Sequence, residues 1–187
     1  MKYSKEWLTK EEFNRLVNNP AISRRDELII SVLYYCALRV SEMVTIKVKN
    51  IDIINGTLTL WKSKKSDNPE LIHIPDHLVK LISQWIRENN LKRNGYLIKS
   101  QKGGPLSRVQ IYRIIKERAE EAGLDKEITT HSFRRSRATH LLNAGLPLEK
   151  VSRLLRHNRL ESTMTYLKIS IEDLKRDIKK VDKIEVV

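Results

Sequence analysis

Thr130-His131-Ser132-Phe133-Arg134 sets an imidazole and a guanidinium three residues apart, the spacing that brings two side chains to one face of a helix. A helix start also carries unpaired backbone N–H groups, so histidine, arginine and backbone could together hold one phosphate. His-x-x-Arg alone is a weak signal, because an i, i+3 polar pair on a helix surface is an ordinary occurrence. Its companions in the chain sharpen it. Upstream stands Ala37-Leu38-Arg39-Val40-Ser41-Glu42; downstream, Leu154-Leu155-Arg156-His157 is followed nine residues later by Tyr166, within Ser162-Thr163-Met164-Thr165-Tyr166.

The elements that must position these residues can be read from apolar spacing. Thr9-Lys10-Glu11-Glu12 is a capping-box pattern opening a short helix through Phe13, Leu16 and Val17, stopped by Asn18-Asn19-Pro20. Leu28, Ile29, Val32, Leu33, Cys36 and Ala37 recur at the spacing of a helix buried along one face, which delivers Arg39 at its end. Three strands follow, Ile51 to Ile54, Thr57 to Trp61 and Leu71 to Ile74, with Asn55-Gly56 as a tight hairpin turn between the first two. Residues 62–69, polar, turn-rich and holding three lysines, read as an exposed, mobile loop. Leu78, Leu81, Ile82, Trp85 and Ile86 mark one amphipathic helix; Ile111, Ile114, Ile115 and Ala119 mark another, ended by Gly123. Phe133 to Leu142 forms a helix closed by Gly145, Pro147 opens Leu148 to Leu155, and Ile171, Leu174, Ile178 and Val181 stripe a last helix. The fold class is therefore α+β, mainly α-helical with one small three-stranded antiparallel sheet.

Composition selects the partner. The chain has 187 residues, with 36 Lys and Arg against 23 Asp and Glu, a formal charge of +13 and a pI of about 9.9. That imbalance favours a polyanion, nucleic acid before all others. Six per cent aromatic residues provide no base-stacking platform for RNA. Mean hydropathy is −0.46 and no apolar run approaches the roughly 18 residues a bilayer span needs, so no membrane role is expected and the cytoplasm is the expected location. One cysteine, Cys36, excludes an internal disulfide, and its apolar neighbours suggest a core position.

"ALRVSEM", "THSFRRSRATHLLNAG" and "LLRHNRLESTMTY" resemble, in order and spacing, the motifs of the tyrosine recombinase family, the phage-integrase and Xer type of site-specific DNA recombinase. The resemblance covers the family's catalytic domain end to end. It implies that Arg39 and Arg134 clamp the scissile phosphate, that His131 and His157 hydrogen-bond it and assist proton transfer with His131 as the base, and that Tyr166 is the nucleophile. The implied product is a 3′-phosphotyrosine and a free 5′-hydroxyl, formed without metal, ATP or other cofactor. These roles meet physical need: a guanidinium offers paired donors to nonbridging oxygens, and an imidazole titrates near neutrality. The family's leaving-group acid is a lysine on the loop between strands two and three. Ser63-Lys64-Lys65 looks most like the family's Ser-Lys-Thr form, which makes Lys64 the first choice and Lys62 and Lys65 the alternatives.

Departures from the family pattern are few. Arg135 stands where many relatives carry another histidine, and Arg156 replaces the frequent glycine before His157; both add charge near the expected phosphates, Arg156 as a DNA-backbone contact. The catalytic-type start "WLTKEEF" lies within the first fifteen residues, so residues 1–187 read as a catalytic domain without the family's N-terminal core-binding domain. Residues 171–187 read as its C-terminal tail helix. The family assembles as a tetramer on DNA, and a monomer is expected in free solution.

Plainer readings cover the remaining candidates. His73 and His77 lack a nearby third ligand and suit a strand end followed by a helix cap. His140 reads as a packed histidine, Arg137 as a solvated or DNA-facing arginine, and Tyr34, Tyr35 and Tyr112 as core residues. Glu42 reads as the residue orienting Arg39 or its neighbouring backbone. A type IB topoisomerase-like strand relaxation and a catalytically inactive DNA-binding relative stand as the alternative functions.

Overall fold

A computed structural model describes residues 7–61 and 69–156. Thr9 and Glu12 open α1 (Lys10–Val17) with the expected reciprocal cap: the Glu12 N–H donates to Thr9 Oγ1 at 3.2 Å and the Thr9 N–H donates to Glu12 Oε2 at 2.7 Å. Ser23 caps α2 (Arg24–Tyr35), whose Leu28 to Tyr34 are all buried. This helix is the centre of the molecule: α1 packs on it, and so do α4 (Asp76–Glu88), α5 (Arg108–Glu121) and α6 (Thr130–Asn143). Cys36 is indeed a core residue, and burial pushes its thiol up to about 12, which leaves it protonated and inert at neutral pH.

The sheet runs β1 (Ile51–Asp52), β2 (Thr57–Leu60) and β3 (Glu70–His73), antiparallel and in chain order. The first two strands are shorter than their apolar runs suggested, and the third keeps its expected length but begins one residue earlier, at Glu70. The first hairpin also differs from a tight Asn-Gly turn: Asp52 pairs with Thr57, so residues 53–56 form a four-residue connection. The Asp52 carboxylate builds it by accepting from the Ile54 and Asn55 N–H groups, both at 3.0 Å, a side-chain-directed turn that competes with the two-residue form. Only Gly56 there takes a positive φ, +58°, and its carbonyl accepts from the Ile74 N–H at 2.7 Å. Of the expected loop 62–69 only Pro69 is among the described residues, and the expected tail helix 171–187 lies outside them.

α4 buries Leu78 and Ile82 and is pinned by the Trp85 Nε1–H, which donates to the Leu97 carbonyl at 2.8 Å. α5 buries Ile111, Ile114, Ile115 and Ala119 as its spacing required, but Tyr112 is 40 % exposed, on the outer side of the helix and not in the core. α6 and α7 (Leu148–Leu155) pack together. α6 is unusual for an interior helix, because seven of its residues are buried and five of those are polar or charged: Ser132, Arg134, Ser136, Thr139 and His140. Polar groups buried in this way need internal partners. Ser136 Oγ donates to the Ser132 carbonyl at 2.7 Å and accepts from the Leu8 N–H at 2.7 Å, while the Tyr34 hydroxyl meets His140 Nδ1 at 2.6 Å. His140 is thus the packed histidine expected. Arg137 is not a solvated arginine: its guanidinium lies over the rings of Tyr34 and Tyr35, 5.5 and 5.4 Å from their centroids.

Candidate active site

The candidate site forms where two helices end. The chain leaves α2 through Ala37, at φ +47°, and begins the short α3 (Val40–Met43) with Arg39 at its N-cap. α7 ends at Arg156, in the left-handed conformation at φ 55°, ψ 43°. The last carbonyls of a helix lack intrahelical partners and carry partial negative charge, and arginines from three segments converge on them. Arg134, only 4 % exposed, donates from Nη1 to the Ala37 carbonyl at 2.6 Å and from Nη2 to the Leu155 carbonyl. Arg156 donates to the Leu154 carbonyl at 2.8 Å and to Ala37 at 3.1 Å. Arg39 Nη2 reaches the Arg156 carbonyl at 3.5 Å.

Glu42 binds this cluster together. Its Oε2 accepts from the Arg39 backbone N–H at 2.7 Å and from Arg156 Nη2 at 2.7 Å, and its Oε1 accepts from Arg39 Nη1 at 2.9 Å. Burial alone would raise this carboxyl, but the charge of Arg156 and the hydrogen bonds from Arg39 hold it below the usual carboxylate range. The expectation that Glu42 orients Arg39 is met directly.

His131 stands one residue into α6 and is exposed, whereas Arg134 one turn later is buried. The pair is therefore not two groups on an outer surface; Arg134 turns inward to the helix ends and His131 remains at their rim. Partial desolvation, then the charges of Arg134, Arg135 and Arg39, hold the His131 imidazole below its usual range. His131 and Arg134 stand one turn apart on α6. Lys64, His157 and Tyr166, with Lys62 and Lys65, lie outside the described residues, although Arg156 is the immediate neighbour of His157.

Arg156 is the site's correction to the sequence reading. Its side chain is 4 % exposed and ion-paired to Glu42 at 2.7 Å and to Glu70 at 3.4 Å, so it faces the interior and is not a DNA-backbone contact. A left-handed residue with a β-carbon costs on the order of 1 kcal/mol relative to glycine, and the guanidinium's contacts offset that cost here. The frequent glycine before His157 was the signal that this position has a positive φ; which way an arginine would turn was not encoded in it. Among the described residues no three His, Cys, Asp or Glu side chains cluster, and His77 packs edge-on to Tyr35 at 4.5 Å. Also among the described residues, no helix is long and apolar enough to cross a membrane.

Residues 6–172 match the model of the phage integrase family. The chain belongs to the phage integrase family. Within that family it is 31 % identical over 182 residues to tyrosine recombinase XerA of Thermococcus kodakarensis, covering 95 % of this chain and 63 % of that protein. It is 28 % identical over 178 residues to tyrosine recombinase XerD of Staphylococcus aureus, covering 90 % and 60 %. The chain thus spans less than two thirds of these curated relatives. The fold matches the crystal structure of XerA recombinase with a TM-score of 0.81 at 24 % identity, over 93 % of this chain and 64 % of that one. It also matches XerH site-specific recombinase bound to its difH substrate, with a TM-score of 0.77 at 23 % identity, over 92 % and 53 %. Helices around a small antiparallel sheet are accordingly the architecture of the phage integrase family's tyrosine recombinases.

The histidines give this family member a testable acid sensitivity. His131 and His140 both bind protons less readily folded than unfolded, His140 chiefly because it is buried. Where the unfolded chain holds more protons, stability rises with pH. Stability is therefore expected to fall as pH drops through the unfolded histidine value of 6.5, with Glu42 acting in the same direction at lower pH. Urea midpoints measured above and below that value check this, and a midpoint that increases on acidification would contradict it.

Proposed function

We propose that this chain is the strand-transfer domain of a site-specific DNA recombinase or integrase, which cleaves and rejoins DNA through a 3′-phosphotyrosine. The observation that carries the reading is the convergence of Arg39 and Arg134 at the α2 and α7 termini, one residue before His157 and with the exposed His131 one turn before Arg134 on α6, in a member of the phage integrase family. Arg39 and Arg134 stabilise the charge that builds on the phosphoryl oxygens. The Tyr166 oxygen attacks phosphorus, its proton passes to His131, and the bond from phosphorus to the 5′-oxygen breaks as Lys64 protonates that oxygen. His157 donates a hydrogen bond to the phosphate. Because the phosphodiester energy is kept in the tyrosyl linkage, attack by a 5′-hydroxyl reverses the sequence and needs no ATP. A lowered imidazole pKa suits His131 to this task, since the ring is neutral at pH 7 and can accept a proton.

The partner is double-stranded DNA, contacted through phosphates by a chain of charge +13. The free protein is a monomer that assembles as a tetramer on DNA, at the nucleoid. The relatives named above are recombinases by name, which disfavours the topoisomerase alternative, and an inactive relative would have no need of Arg39, His131, Arg134, His157 and Tyr166 together.

Lys64 supplies the test. A DNA substrate with sulfur in place of the scissile 5′-oxygen has a leaving group that needs no proton. Lys64→Ala is expected to cleave ordinary DNA poorly and the sulfur substrate at close to the wild-type rate, read as covalent protein–DNA adduct on a denaturing gel. Rescue of Lys62→Ala or Lys65→Ala instead would move the acid to that residue. Absence of any adduct from the wild-type protein on either substrate would overturn the proposed reaction.

A further inference from the structure

Arg156 touches the acceptors that aim both candidate phosphate ligands. The Ala37 carbonyl receives Arg134 at 2.6 Å and Arg156 at 3.1 Å. The Glu42 carboxylate divides itself between Arg39 and Arg156. Arg156 further pairs with Glu70, the first residue of β3, at 3.4 Å. β3 follows directly on the segment 62–68 that carries the candidate lysines. One buried guanidinium thus ties together the α2–α3 turn, the end of α7 and the start of β3, and it does so from a backbone conformation that glycine would adopt without strain.

We propose that Arg156 is a positioning residue of the strand-transfer site: by holding the Glu42 carboxylate and the Ala37 carbonyl, it fixes the guanidiniums of Arg39 and Arg134 in the geometry that receives the phosphate. The proposal rests on the phosphoryl-transfer reading for its catalytic meaning, but its structural content concerns the free protein. Planar guanidinium forks bind paired oxygens only when correctly turned, and small misplacements of such groups lower reaction rates steeply. Lysine could not replace Arg156, because a single ammonium cannot span Ala37, Leu154, Glu42 and Glu70 in one plane.

Two measurements separate this proposal from the reaction on which it builds. In the free protein, nitrogen-detected NMR reports the order of the Arg39 and Arg134 side chains. R156G, which relieves the left-handed backbone, is expected to shift and broaden both sets of guanidinium signals, while R156K restores them only in part. R156Q, which keeps side-chain length and removes the charge, gives the same reading should R156G unfold. On a nicked DNA duplex that the wild-type protein cleaves, the same variants are expected to lose about tenfold or more in single-turnover cleavage at saturating protein, with DNA affinity nearly unchanged. The loss should be non-additive with Arg39→Lys, because Arg156 acts in part through the Arg39 guanidinium that the second change removes. Arg39 and Arg134 signals that stay sharp and unshifted in a folded Arg156 variant would overturn the proposal, whatever the cleavage rate. Absence of cleavage by the wild-type protein would fall on the reaction alone and leave the NMR result to decide the role of Arg156.

Discussion

Tyr166→Phe is expected to abolish the covalent protein–DNA adduct altogether while leaving DNA affinity nearly unchanged. The substitution removes one oxygen and keeps the ring, so it tests only whether that oxygen attacks phosphorus. A phenol with a pKa near 10 is almost wholly protonated at neutral pH. Attack therefore needs a base to take its proton and cations to stabilise the oxyanion, which are the roles proposed for His131 and for Arg39 with Arg134. Phenylalanine has neither a lone pair to donate nor a proton to lose, and no partial activity is expected. The measurement is adduct yield on a nicked or gapped duplex, with affinity followed separately by fluorescence anisotropy. An adduct that persists in the Phe variant would reassign the nucleophile.

Arg134→Ala is expected to lower cleavage by about two orders of magnitude or more, on the scale of losing one preorganised donor to developing charge. Unlike Tyr166→Phe it should also destabilise the protein. Its guanidinium serves the Ala37 and Leu155 carbonyls inside the molecule; Arg156 still donates to Ala37, so Leu155 is the acceptor that loses this donor, and a buried acceptor left unpaired costs on the order of 1–3 kcal/mol. Arg134→Lys separates the two effects. An ammonium can still pair with a carbonyl, so part of the stability returns, but it cannot place a planar fork against phosphate oxygens, so most of the activity does not. Urea unfolding read beside single-turnover cleavage checks both halves. A folded Arg134→Ala variant that cleaves within a few fold of wild type would remove this residue from the site.

How much of this was legible in the residues depends on the kind of information each position carried. α1 was readable because Thr9 and Glu12 form a local cap that needs no tertiary partner, and α2 because its apolar residues repeat with the helical period. The strand limits were less so, since Trp61 is exposed and the Asp52 turn replaces pairing at Ile53 and Ile54. Residue types at Arg39, His131 and Arg134 suggested the phosphate chemistry proposed above, and the place of Glu42 three residues after Arg39 suggested the orienting contact that is found. What they could not announce is direction. Arg134 and Arg156 have the composition of surface residues and point inward, because the carbonyls they serve become available only when the ends of α2 and α7 meet in three dimensions. Tyr112 erred the other way: its neighbours on α5 are apolar, but its own position faces outward.

The bond between the Leu8 N–H and Ser136 Oγ joins residues 128 apart in the chain, and the Lys126 ammonium reinforces it by donating to the Trp7 carbonyl at 2.9 Å and pairing with Glu12 at 2.6 Å. During synthesis from the N-terminus, α1 can meet α2 early, where Phe13 stacks on Tyr34 at 3.9 Å, but the bonds that hold residues 7 and 8 to Lys126 and Ser136 cannot form until those distant residues have been made. Closing so long a loop carries an entropic cost that grows only slowly with length, whereas the wait is set by translation at about 5–20 residues per second. The first residues of this fold are therefore among the last to settle. For some seconds the emerging chain holds Leu8, a side chain fully buried in the finished protein, open to chaperones and to its own neighbours.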